Sequence, residues 1–172
     1  MTLCLQSQCF KVNPDNAKFC QYCGKPLLLK DRYRPVELLG QGGFGKTFIA
    51  LDCDKPSQPK CVIKQCSPQL EGSDSSGVAK AEALFAEEAK HLEQLGNHDQ
   101  IPELYAYFMV EKQQYLVQEY VRGQTLTQEG VFSQNKIEAL LCDLLPVLGF
   151  IHRIPVIHRD IKPDNIIRRE SE

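Results

Sequence analysis

Few folds survive the glycine-dense octapeptide Gly40-Gln41-Gly42-Gly43-Phe44-Gly45-Lys46-Thr47 near the first quarter of this chain. It satisfies G-x-G-x-x-G and G-x-x-x-x-G-K-T together, patterns shared by unrelated phosphate-binding loops. Glycine serves all of them for one reason: without a Cβ, backbone N–H groups can approach phosphate oxygens closely. Rossmann and Walker A loops open a helix whose N-terminus faces the phosphate. Here the next residues are Phe48-Ile49-Ala50-Leu51, short, apolar and bounded by Asp52 and Asp54. That reads as a strand. The glycines are therefore expected to sit between two strands, and Lys46 to be an ordinary loop lysine.

The flanking text supports a sheet. From Tyr33 to Lys64 it alternates as three strands, with Pro56 and Pro59 marking the second turn. A Ser- and Gly-rich loop follows, then a helix on which Ala81, Phe85, Leu92 and Leu95 share a face, with Gly96 as its stop. Two further strands are expected in LYAYFMV and YLVQEYV, spaced by the polar EKQQ. A long helix is expected from Gln134 to Arg153, its apolar face formed by Ile137, Leu141, Leu144, Leu145, Leu148 and Ile151, with Pro146 bending it.

Glu88 falls on the core-facing side of the first helix, where an unpaired carboxylate is costly. Lys64, ending the apolar strand Cys61-Val62-Ile63, is the expected cation; a solvated Glu88 at the rim of the stripe is the alternative. Further on, His158-Arg159-Asp160-Ile161-Lys162-Pro163-Asp164-Asn165 fits H-R-D-x-x-x-x-N, with Asp160 and Asn165 five apart.

Taken in order, these motifs resemble eukaryotic-type Ser/Thr protein kinases of the sort also found in bacteria, from about Tyr33 to the end. The resemblance implies an α+β fold: a kinase N-lobe of antiparallel sheet plus one helix, followed by the start of a helical C-lobe. It implies that Gly40, Gly42 and Gly45, with Thr47 where the family more often has Val, cover the phosphates of ATP. Lys64 would grip the α/β-phosphates and Glu88 would hold Lys64. The backbone of Glu119 and Val121 would meet adenine, with Gln118 as a polar gatekeeper. Asp160 would accept the proton of a protein Ser or Thr hydroxyl, Lys162 would sit against the transferred phosphate, and Asn165 would ligate Mg²⁺, or Mn²⁺ in its place. Arg159 marks the subtype commonly controlled by phosphorylation of its activation loop. The family's D-F-G, activation segment and A-P-E do not occur in the 172 residues. The chain is thus expected to be a fragment, inactive or nearly so by itself. A non-catalytic adaptor that keeps a nucleotide-binding lobe is a competing reading, and a P-loop NTPase depending on Lys46 a third.

The first residues are a separate problem. Cys4-x4-Cys9-x10-Cys20-x2-Cys23-Gly24 offers two thiol pairs across a short loop. In a reducing compartment such a cluster favours metal ligation over disulfides, and four thiolates suit tetrahedral Zn²⁺. The expected division is a zinc-ribbon-like module with its linker over 1–29 and an incomplete kinase domain over 30–172. Residues 27–34 read as a connector. By resemblance to bacterial kinases with such heads, the module is expected to serve a regulatory protein partner; redox sensing is the second option. Cys53, Cys61, Cys66 and Cys142 are expected to be small buried hydrophobes, and the histidines outside the catalytic loop to pack or stay solvated.

Composition narrows the remaining classes. A net charge of −2 gives no basic field for nucleic acid or an anionic membrane. No stretch approaches the apolar length of a membrane span, and the N-terminus lacks the charged and apolar regions of a signal peptide. A cytoplasmic location is the resulting expectation.

Overall fold

The structure is a computed structural model describing residues 1–6, 8–42, 45–67, 75–96, 98–154 and 160–170, with side chains of the first helix from residue 77. Gly43, Phe44, His158 and Arg159 lie outside the described residues. The chain forms two compact units, Met1–Lys90 with Glu103–Tyr120, and His91–Pro102 with Val121–Glu172.

The first unit is built on a five-stranded antiparallel sheet. After a small pair, β1 (Thr2–Leu3) with β2 (Val12–Asn13), come β3 (Tyr33–Gly42), β4 (Gly45–Asp52), β5 (Lys60–Cys66), β6 (Leu104–Val110) and β7 (Gln113–Glu119), in the order β3-β4-β5-β7-β6. The segment after Gly45 is a strand, as its length and apolar content required. Side chains alternate between faces along each strand, and the register sets which residues share a face. Phe48 lies opposite Ile63 and Ile63 opposite Val117, whereas Thr47 lies opposite Lys64 and Lys64 opposite Leu116.

The two faces have different fates. Phe48, Ala50, Cys61, Ile63, Tyr115 and Val117 form one buried apolar cluster with Leu3, Leu5, Leu29 and Tyr33. The cysteine-bearing head and the segment after it therefore cover the sheet face that Lys64 does not occupy. Residues 27–34 are more than a connector: Leu27 and Leu29 are buried, and Leu29 bridges to Tyr33 around a turn in which Lys30 and Asp31 have positive φ. The buried Asp52 carboxylate accepts two hydrogen bonds from Arg32, each 2.7 Å. The guanidinium holds that carboxyl below its ordinary range.

The first helix, α1 (Ser75–Leu95), buries Ala81, Phe85, Ala89 and Leu95, and Gly96 ends it at φ +62°. The β6–β7 turn is tighter than the EKQQ spacer suggested. Gln113 and Gln114 pair with Val110 and Met109, leaving Glu111 and Lys112 as the two positive-φ residues of a short hairpin turn.

In the second unit, β8 (Gly123–Thr125) pairs with β9 (Ile167–Arg169), and α2 (Leu126–Glu129) begins with a capping box between Thr125 and Gln128. α3 spans Gln134–Arg153, the length its periodicity called for. Val147 and Ile151 pack with Leu95 and Ile101, while Ile137, Leu141 and Leu145 are exposed. His98 packs on Phe150 with ring centroids 4.5 Å apart.

The scattered cysteines divide. Cys61 and Cys66 are buried, and burial pushes their thiols up to about 12 and about 11. Cys53 is only half-buried and Cys142 is exposed, contrary to expectation. Cys142 lies on the side of α3 away from Val147 and Ile151, where the helical period puts it in solvent. No helix among the described residues is long and apolar enough to cross a membrane.

Candidate active site and metal centre

Three constellations carry chemistry. The first is on the sheet. Gly45 sits where a Cβ would overlap the Gln65 carbonyl, so the neighbouring strand itself demands glycine there. Gly40 and Gly42 differ: a Cβ at either meets no described atom within 4 Å. Packing does not require glycine at these two positions, and their bare backbone leaves room for another molecule. Thr47 and Lys64 pair across β4 and β5 on one face. Lys64 Nζ reaches Glu88 Oε1 on α1 at 2.6 Å, with the two side chains 32% and 40% exposed. Glu88 is thus both paired with Lys64 and partly solvated at the rim of the helix stripe. A pair that open to solvent adds at most about 1 kcal/mol to stability, so its consequence is to orient Lys64.

Lys46 departs from its expected description. It belongs to β4 and not to a loop, and it is one residue out of phase with Thr47, so it points to the opposite face. There it is buried, its Nζ 3.4 Å from the Phe10 ring centroid, and burial lowers its pKa. At the end of β7, Gln118 lies opposite Val62 and Leu104. The Glu119 N–H is donated to the Glu103 carbonyl at 2.9 Å, and Glu119 pairs with Cys61 across β7 and β5.

The second constellation lies in the second unit. Val121 is half-buried, just before β8. A 3-10 turn at Pro163–Asn165 folds Asn165 back on Asp160. The Asn165 amide donates to the Asp160 carboxylate at 2.7 Å and to its backbone carbonyl at 2.8 Å, and Lys162 Nζ lies 3.1 Å from the same carboxylate. Proline at the start of the turn and the Asn165 N–H to Lys162 carbonyl bond set this spacing. All three side chains are solvent-exposed.

The third is the head. The Sγ atoms of Cys4, Cys9, Cys20 and Cys23 all lie within 4.8 Å of one another. The Cys4–Cys23 and Cys9–Cys20 separations are both 3.6 Å, far beyond a disulfide bond. A tetrahedral thiolate shell with bonds of about 2.3 Å needs sulfurs about 3.8 Å apart, so this donor set fits Zn²⁺. Gly24, at φ +72°, follows Cys23 and donates its N–H to the Cys20 carbonyl; Phe10, at φ +45°, follows Cys9 and donates to Gln6. Each thiol pair thus ends in a left-handed residue. The wide first spacing concealed that likeness in the sequence.

Asn13 ties the head together and had no sequence signal. It is buried, accepts the Gln21 N–H at 2.9 Å, and donates to the Lys11 carbonyl and to Cys20 Sγ. Burial opposes ionisation of Cys20, yet backbone N–H groups of Cys23 and Tyr22, with the Asn13 amide, bring its thiol down to about 6. A thiolate prepared in this way suits a metal ligand held by outer hydrogen bonds.

Residues 33–172 match the family described as protein kinase domain. Serine/threonine-protein kinase B of Synechocystis sp. is 45% identical over 177 aligned residues, covering 100% of this chain and 30% of that protein. Serine/threonine-protein kinase C of the same organism is 53% identical over 84% of this chain and 28% of its own length. Serine/threonine-protein kinase PknA of Nostoc sp. is 47% identical over 84% of this chain and 26% of its own. The chain thus spans 30% or less of these three relatives. Among solved structures, the kinase domain of Mycobacterium tuberculosis PknI superposes with a TM-score of 0.62 at 22% identity, over 80% of this chain and 55% of that one. At that identity the likeness speaks to the fold.

Proposed function

Because the chain belongs to the protein kinase domain family, we propose that it captures ATP with Mg²⁺ or Mn²⁺ and provides the nucleotide-gripping and hydroxyl-activating parts of phosphoryl transfer to Ser and Thr of protein substrates. In this reading residues 1–29 are a head holding one Zn²⁺ on Cys4, Cys9, Cys20 and Cys23, and residues 30–172 are kinase domain. The cytoplasm is the proposed location, and the head the proposed docking point for a regulatory protein.

The Lys64–Glu88 ion pair supports the reading most. It contributes little to folding, yet it holds an ammonium beside Thr47, on the strand that begins at the glycines. Gly40, Gly42 and Gly45 offer backbone donors to the phosphates, Lys64 adds charge, and Glu119 and Val121 take the adenine edge. Asp160 takes the proton of the attacking hydroxyl, with Asn165 and Lys162 orienting its carboxylate. Lys162 also balances charge on the transferred group. The metal ion, held at Asn165, supplies charge neutralisation at the phosphates. The property to test first in this chain is nucleotide capture.

Titration of MgATP into the wild-type chain, Lys64→Ala and Lys46→Met provides that test. Lys64→Ala is expected to weaken binding at least tenfold while shifting stability by no more than about 1 kcal/mol. Lys46→Met, which keeps the buried stem but gives up the contact of its ammonium with the Phe10 ring, is expected to lose far less affinity than Lys64→Ala. The opposite ranking would favour a P-loop and sink the kinase assignment.

A further inference from the structure

The first thiol pair does more than present ligands: each of its cysteines hands the next residue to the strands beneath the glycine hairpin. Cys9 is followed by Phe10, whose ring stacks on Phe48 with centroids 6.4 Å apart and planes 11° from parallel. The same ring carries Lys46 Nζ at 3.4 Å. Cys4 is followed by Leu5, whose carbonyl accepts the Gln65 side-chain amide at 3.2 Å; that amide also donates to the Tyr115 hydroxyl at 3.1 Å. Lys46 and Gln65 are a cross-strand pair of β4 and β5. Next to them, Gly45 pairs with Gly42 and rests against the Gln65 carbonyl. The head therefore contacts both members of one cross-strand pair, beside the turn end of the hairpin bearing Gly40, Gly42 and Gly45.

From this geometry we infer that Phe10 and Leu5 position the glycine hairpin, so that filling the four-cysteine site tightens the grip on nucleotide phosphates. The inference rests on the reading of these glycines as phosphate-binding. The physical basis is local. Holding Cys4 and Cys9 on one centre fixes the backbone of Leu5 and Phe10. The Phe10 ring, packed on Phe48 and carrying the Lys46 ammonium, ties two residues of β4 to the head, so losing it loosens both contacts. Phe10 and Leu5 act through β4 and β5 and are positioning residues. Coupling of this kind is reciprocal, so nucleotide must raise zinc affinity by the factor by which zinc raises nucleotide affinity.

The test uses the full chain in four forms: wild type, Phe10→Ala, Phe10→Tyr, which keeps the ring, and Phe19→Ala, an exposed aromatic of the same head. Zinc content, MgATP affinity and amide hydrogen exchange over 38–42 and 45–48 are measured for each. Phe10→Ala is expected to keep one zinc, lose about five- to tenfold in nucleotide affinity and exchange faster across the hairpin. Phe10→Tyr and Phe19→Ala are expected to match the wild type. Should Phe10→Ala fail to fold, Gln65→Met cuts the second grip, with the same losses expected. Unchanged hairpin exchange in a zinc-loaded Phe10→Ala or Gln65→Met chain overturns the inference. So does a loss of affinity that only follows loss of zinc. If the wild type binds no nucleotide, the kinase reading fails, and hairpin exchange in the same variants still decides the positioning claim.

Discussion

Asp52 illustrates how a single residue can carry a pH dependence. Its carboxylate is almost wholly buried and receives two hydrogen bonds from Arg32, which depresses its pKa. A depressed carboxyl contributes stability that is present above its unfolded value, near 3.9, and lost as pH falls through the folded value. Charge-assisted hydrogen bonds of this kind are worth about 1–3 kcal/mol. Asp52→Asn is therefore expected to lower stability by about that amount from pH 5 to 8, with the difference shrinking below pH 4. Denaturant unfolding across that range measures it, and a difference that grows on acidification would contradict the assignment. The adjoining end of β5 carries Cys61, whose thiol stays neutral in this pH range because burial raises its pKa.

At the scale of elements, the glycine hairpin separates structural from ligand-directed glycine. Gly45→Ala drives a Cβ into the Gln65 carbonyl, so it is expected to cost about 1–3 kcal/mol and to lower Tm by several degrees. Gly42→Ala meets no described atom; it is expected to leave Tm almost unchanged and to weaken MgATP binding. Thermal melts with and without nucleotide distinguish the two, and equal melting points for both variants would refute the distinction. Elements whose causes are local were legible beforehand. β4 announced itself by four apolar residues between a glycine turn and two aspartates, and α3 by an uninterrupted apolar period. The Lys64–Glu88 pair was expected on the premise of a core-facing carboxylate; the partners do meet, yet Glu88 is 40% exposed, so the pairing was anticipated while its stated cause was not. What escaped had distant or faint causes. Gln113 and Gln114 are polar yet lie in β7, held by their partners on β6, and α2 is too short to show a period. Lys46 was misread as a loop residue because nothing near it in sequence announces Phe10.

On the scale of the whole molecule, the head acts as a lid on one sheet face. Leu3 and Leu5 belong to the same buried cluster as Phe48 and Ile63, so a head that loses its order uncovers that cluster. Binding free energies of about 10–16 kcal/mol for structural zinc in small modules far exceed what residues 1–26 can gain from their few large apolar groups. One zinc per chain is expected by elemental analysis. Chelation is expected to abolish hydrogen-exchange protection at the Gly24 and Leu27 amides and to lower Tm markedly. A chain stripped of zinc yet melting at the same temperature would show that the cysteines are not a structural metal site. The relation between head and sheet could not be read from the sequence, since the residues that meet are separated by most of the first unit.

The account turns on which lysine meets the phosphates: Lys64, held by Glu88, or Lys46, buried under Phe10. An ATP analogue bearing an acyl phosphate reports this directly. A lysine beside the phosphates attacks the acyl carbon, forms an amide and expels the nucleotide, and mass spectrometry of the peptides locates the tag. Labelling at Lys64 that excess ATP suppresses is the predicted result; ATP-sensitive labelling at Lys46, or none at Lys64, would contradict it.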